Sequence, residues 1–137
     1  MAQQKSELTV ITKAKDLCSY ILTVTDKSPK KFRFTLTSRL QNYSLTIVEL
    51  LLSANEVRVT DRAGRRIDAR LEERRSYQQE AFTSMKMLSF LAQVAMEQKS
   101  ILPKQYEQIT KKLYDCQNLL GAWVKSDNKR YVEGQSS

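Results

Sequence analysis

The stretch Leu36-Thr37-Ser38-Arg39-Leu40-Gln41-Asn42-Tyr43-Ser44-Leu45-Thr46-Ile47-Val48-Glu49-Leu50-Leu51-Leu52-Ser53-Ala54-Asn55-Glu56-Val57 decides the fold. Leu36, Leu40, Tyr43, Ile47, Leu50, Ala54 and Val57 recur at alternating steps of four and three. That is the seam by which near-parallel helices pack knobs into holes. Leu45, Val48 and Leu52 form a second apolar row beside the seam, and Leu51 fills the space between. A helix apolar around most of its circumference is covered on more than one side. Burying such a side chain is worth about 1.5–3 kcal/mol, so three of them left in water are a solubility liability. Leu45, Val48 and Leu52 are therefore the expected interface between copies of the chain.

Three more amphipathic segments flank this helix. One runs from about Leu8 to Thr25, with Ile11, Ala14, Cys18 and Ile21 at steps of three and four and Val10, Leu17 and Val24 as a flanking row. Asp26 to Pro29 ends it, because proline disfavours helix in the residue before it. A third helix starts between Arg65 and Leu71 and reaches about Gln98, carrying Ile67, Leu71, Tyr77, Ala81, Met85, Leu88, Leu91 and Ala95 on its apolar face. The fourth starts at Pro103, a residue suited to a first helical position. Tyr106, Ile109, Leu113, Cys116, Leu120 and Trp123 then form its seam. Gly121 within that register costs about 1 kcal/mol against alanine, so close packing or an early helix end is expected there. Only Glu56–Thr60 alternates in the manner of a strand. With short links at 26–33 and 99–102 and a longer basic one at 58–66, the pattern predicts an all-α, up-down-up-down antiparallel four-helix bundle. Residues 1–126 form the expected bundle domain, and 127–137 a polar, flexible tail.

The 137 residues carry a formal net charge of +8, unevenly placed. Lys27, Lys30, Lys31, Arg33 and Arg39 have no acid among them, and Arg58, Arg62, Arg65, Arg66, Arg70, Arg74 and Arg75 face only Asp61, Asp68, Glu72 and Glu73 in sequence. Arg62, Arg66, Arg70 and Arg74 lie four apart, so those on a helix share a face. Arginine forks suit phosphate, and aromatic residues interleave only thinly, so contact with a nucleic-acid backbone without base readout is expected. The competing explanation is an exposed, salt-bridged helix.

Other chemistry finds little support. There is no histidine, so neither the Glu-x-x-His pairs of di-metal bundles nor a zinc set is present, and Cys18 and Cys116 are isolated on apolar faces. No Gly-rich phosphate loop or nucleophile elbow occurs. Glu49 in the apolar run is expected at a subunit edge or in solvent. No catalytic residue, cofactor or metal site is expected. Two cysteines, no signal-like N-terminus and no apolar run long enough to span a bilayer point to the cytoplasm.

Several runs are similar to a known family. Pro29-Lys30-Lys31-Phe32-Arg33-Phe34-Thr35-Leu36-Thr37-Ser38-Arg39-Leu40 and Leu50-Leu51-Leu52-Ser53-Ala54-Asn55 resemble the second helix of the four-helix bundle proteins related to Avd, the accessory variability determinant of diversity-generating retroelements. Phe90-Leu91-Ala92-Gln93-Val94-Ala95 resembles their third helix. Leu102-Pro103-Lys104-Gln105-Tyr106-Glu107 and Leu120-Gly121-Ala122-Trp123-Val124-Lys125 resemble the fourth, where the family often has Gly-Gly-Trp and this chain has Ala122 as its second residue. The likeness spans roughly residues 8–126, although the Arg-rich segment 58–75 has no evident counterpart. The same bundle occurs in proteins encoded within intervening sequences of bacterial ribosomal RNA genes.

The resemblance implies a homopentameric barrel with a basic outer surface, binding a reverse transcriptase and its RNA to support mutagenic cDNA synthesis, with DNA as a further candidate partner. From the charge pattern, Lys27, Lys30, Lys31, Arg33 and Arg39 are expected to contact the protein partner or nucleic acid, and the seven arginines of 58–75 nucleic acid. Two rival readings remain at this point. One is an orphan bundle protein that binds RNA or a mobile-element protein without a reverse transcriptase. The other is a protein-only scaffold whose arginines meet an acidic partner.

Overall fold

The computed structural model describes residues 2–133, with side chains from residue 9 onward. It contains four α-helices, α1 (Ala2–Thr25), α2 (Ser38–Glu56), α3 (Asp68–Glu97) and α4 (Pro103–Tyr131). No strand occurs among the described residues; Thr60 and Arg66 form an isolated bridge. Each helix packs against two others, α2 chiefly on α3 and α1 chiefly on α4. The shared core includes Leu17, Ile21, Leu40, Ile47, Met85 and Trp123, all sealed from solvent.

Polar ties hold one end of this core. Gln41 Nε2 donates to Thr25 Oγ1 at 2.9 Å, and Thr25 Oγ1 donates to the Ile21 carbonyl at 2.6 Å. Ser28 Oγ donates to the Ser100 carbonyl at 2.8 Å, so the α1–α2 and α3–α4 links meet. A 3-10 turn (Lys30–Phe32) and a π turn (Arg33–Thr37) lead into α2. Ser38 Oγ and its backbone N–H both donate to the Arg33 carbonyl, which supports the wider turn. At the α3–α4 link, Lys99 is left-handed at φ 65°, and Ser100 N–H donates to the Ala95 carbonyl at 2.7 Å. These are features of a helix C-terminus usually given to glycine. Leu102 N–H donates to Gln105 Oε1 at 2.8 Å and starts α4 behind Pro103.

The 57–67 link is also ordered by its own bonds. Asp61 Oδ1 accepts from Ala63 N–H at 2.9 Å and Arg65 N–H at 2.8 Å. Gly64 takes φ 81°, which only glycine adopts freely. Ile67 N–H closes back onto the Val59 carbonyl at 2.8 Å. Val59 joins Leu71 and Tyr131 in a small second core.

Three expectations are corrected. On α2, Leu51 and Ser44 are buried while Tyr43, Leu50 and Val57 are only half-buried. A straight helix turns every 3.6 residues, so a strict 3.5-residue seam drifts off the contact line. Helix α4 runs through Tyr131 with Asp127 and Tyr131 buried, so residues 127–131 belong to the bundle and not to a tail. Residues 134–137 of that expected tail lie outside the described residues. Gly121 neither ends α4 nor packs closely: a Cβ there meets nothing within 4 Å in the chain.

Candidate nucleic-acid interface

The seven arginines of 58–75 separate into three groups. Arg74 points inward and is 6% exposed. Its Nη1 donates to Asp127 Oδ1 at 2.9 Å and its Nη2 to the Val57 carbonyl at 3.0 Å. Its guanidinium lies 5.6 Å from the Trp123 ring and 5.8 Å from that of Tyr131. Gln78 Nε2 donates to Asp127 Oδ2 at 3.1 Å, so both carboxylate oxygens accept a bond. A buried carboxylate is tolerable only with its oxygens bonded in this way, while Gln78 Oε1 beside it is buried with no hydrogen-bond partner among the described residues. Arg74 is therefore a core residue, and its assignment to nucleic-acid contact is corrected. The physical reason is periodicity: position 74 falls between Leu71 and Gln78 on the inward face of α3.

Three others are tied locally. Arg66 precedes α3; its Nε donates to Asp68 Oδ1 at 2.7 Å and its Nη1 to the Tyr131 carbonyl at 2.8 Å. Arg75 donates to Asn128 Oδ1. Arg65 Nε donates to Asp61 Oδ2 at 3.1 Å but stays well exposed. Arg66, Arg74, Arg75 and Gln78 together clamp the last turns of α4. Of the four arginines spaced four apart, only Arg70 and Arg74 lie on α3, and Arg74 is inside the core, so they present no exposed row.

Arg58, Arg62 and Arg70 remain exposed and line a groove of about 750 Å³ between the 57–67 link, α3 and the end of α4. Arg130, which the sequence reading missed, lines the same groove, its guanidinium 5.4 Å from the Tyr131 ring. The signal was present: Trp123, Asp127 and Tyr131 continue the α4 seam at steps of four.

The second cationic cluster lies at the other end of α2. Lys27, Lys30, Lys31, Arg33 and Arg39 are all exposed. Lys27, Lys30 and Arg33 line a groove of about 440 Å³ with Asp26, Ser28 and Thr37, and Lys31 Nζ sits 5.0 Å over the Phe32 ring. The third set, Leu45, Val48 and Leu52, comes together on a groove of about 530 Å³ between α1 and α2, beside Lys15, Cys18 and Glu49. Leu45 is 50% exposed and Leu52 38%, while Val48 is half-buried against the core.

Elsewhere, Lys112 Nζ reaches Asp16 Oδ2 at 2.8 Å, and that hydrogen-bonded ammonium holds the Asp16 carboxyl below its ordinary value. Burial, with a smaller contribution from Asp115, pushes the Cys116 thiol up to about 11. Among the described residues, no helix is long and apolar enough to cross a membrane, and no three of His, Cys, Asp and Glu stand together as a metal set.

The family model described as bAvd-like matches residues 8–127 of this chain. No curated protein matches it.

Proposed function

Because the chain belongs to the bAvd-like family, we propose that it is a non-catalytic, nucleic-acid-binding accessory subunit of a diversity-generating retroelement, binding a reverse transcriptase and its RNA to support mutagenic cDNA synthesis in the cytoplasm. The observation that carries this reading is the family match over nearly the whole bundle. The charge distribution supports it: a formal +8, with exposed cations at both ends of α2. Phosphate contact through such cations releases counterions, so affinity falls steeply with salt and depends little on sequence.

The bundle takes an up-down-up-down course and assembles as a pentameric barrel through the face of Leu45, Val48 and Leu52. The exposure of Leu45 and Leu52 beside a groove supports this assembly.

Co-expression with a reverse transcriptase encoded beside this chain tests the function. The two should co-purify after nuclease treatment, and the protein should bind RNA with an affinity that drops by orders of magnitude between about 50 and 200 mM salt. A salt-independent affinity overturns the nucleic-acid reading, and failure to co-purify overturns the retroelement role.

A further inference from the structure

Arg58 and Arg62 from the link, Arg70 from α3 and Arg130 from α4 converge on one groove. Among the other charged residues that line it, Arg74 and Asp61 are already paired. Asp127 accepts from Arg74 and Gln78, and Asp61 from Arg65 and two backbone N–H groups. Glu56 and Glu73 stand on a neighbouring recess shared with Arg58 and Arg70, and form no ion pair with either among the described residues. Four like charges in one concavity repel one another, by about 1 kcal/mol per pair at 4 Å in water and more where water is displaced. An anion bearing several charges relieves that repulsion.

We propose that this groove binds consecutive phosphates of a single-stranded nucleic acid, in preference to a duplex. The inference rests on the nucleic-acid reading above and names the form of the ligand. Shape favours the single strand. The cations surround a recess of about 750 Å³ walled by the link and two helices, not a convex face. A duplex is stiff over a length of about 150 base pairs, so it cannot fold successive phosphates into such a recess. A flexible strand can, and positively charged grooves that track one backbone are the common solution for single-strand binding. The site is also held ready. Arg130 lies against the Tyr131 ring, and Arg66 fixes the Tyr131 carbonyl at 2.8 Å. Side chains already ordered lose less freedom on binding.

The test uses the full chain and fluorescence anisotropy with two probes, a labelled oligo-dT of about eight nucleotides and a hairpin duplex of the same length. The double variant Arg62→Ala/Arg130→Ala alters two exposed side chains, with circular dichroism as the check on folding. A second double variant, Arg62→Ala/Arg70→Ala, provides the same measurement if the first fails to fold. Single-strand affinity should fall about tenfold, and the slope of log affinity on log salt should shrink by about 1.4, or 0.7 for each lost phosphate contact. Duplex affinity should change less than twofold. Lys86→Ala/Lys104→Ala removes equal charge at exposed positions outside both cationic grooves and should leave single-strand affinity within twofold. Equal losses for both probes, or an equal loss in the lysine variant, overturn the proposal. So does displacement of the strand by micromolar ATP, which would make the groove a site for free nucleotide. If the unaltered protein binds both probes and the arginine changes affect neither, the groove assignment fails and the nucleic-acid reading stands. If it binds neither probe, both fail.

Discussion

Arg74 and Asp127 form an ion pair of 2.9 Å inside the bundle, with side chains 7% and 2% exposed, and this pair joins the first turns of α3 to the last turns of α4. It turns an arginine of the basic cluster into a structural strut. Removing one partner strands a buried charge, which costs about 3–5 kcal/mol. Asp127→Ala should lower the unfolding free energy by about that amount in urea denaturation. The volume-filling double change Arg74→Met/Asp127→Leu should recover most of the loss, since neither charge is then left unpaired. A single change costing less than about 1 kcal/mol would mean that the pair is open to water in solution.

The apolar face of α2 makes a separate prediction. Val48 packs partly against the core, whereas Leu45 is half in solvent. Leu45→Asp should therefore dissociate the proposed assembly to the 15.9 kDa chain while leaving the bundle folded. Light scattering and circular dichroism at micromolar concentration separate the two effects. An unchanged assembly would place the interface on another face.

Lys99 and Gly121 each occupy a position suited to the other's residue type. Lys99 holds a left-handed backbone at φ 65°, a conformation that costs a side-chain-bearing residue about 1–2 kcal/mol. Gly121 sits inside α4 with open space where a Cβ would stand. Lys99→Gly should raise stability by about 0.5–1 kcal/mol, the relief of strain being offset partly by glycine's greater freedom when unfolded. Gly121→Ala should raise it by about 1 kcal/mol. Thermal unfolding measures both. A destabilising Gly121→Ala would identify that surface as a close contact with a neighbouring copy.

Cys116 links burial to pH. Its thiol is pushed up to about 11, from 9.0, chiefly by burial. The folded state therefore holds this proton more tightly than the unfolded state. Its contribution is fully present below about pH 9 and is lost as the pH rises toward 11. Replacing Cys116 by Ala should flatten that alkaline loss of stability, and iodoacetamide at pH 8 should leave Cys116 unmodified in the folded protein. Rapid labelling at pH 8 would contradict the burial.

Helical content and the main apolar faces were legible because they are local. Ile11, Ala14, Cys18 and Ile21 on α1, and Ile109, Leu113, Cys116, Leu120 and Trp123 on α4, are buried as their spacing predicts. So were the start of α4 at Pro103 and the exposure of the lysine-rich segment, where Asp26 at its edge is the one acid nearby in sequence. The Arg-rich segment was read less well. Its charge is a property of the sequence, but spacing alone does not say which guanidinium has a partner folded against it.

The sequence by itself determined four amphipathic helices, the apolar surplus on α2 and the two basic blocks, because periodicity and charge are properties of neighbouring residues. Only the tertiary structure decided that Arg74 turns inward while Arg58, Arg62 and Arg70 stay out. It alone brought Arg130 to them. Asp127 lies 53 residues from Arg74 along the chain, and no local pattern connects the two. Their pairing exists only once α3 and α4 pack side by side and exclude water, when an unpaired charge becomes too costly to bury.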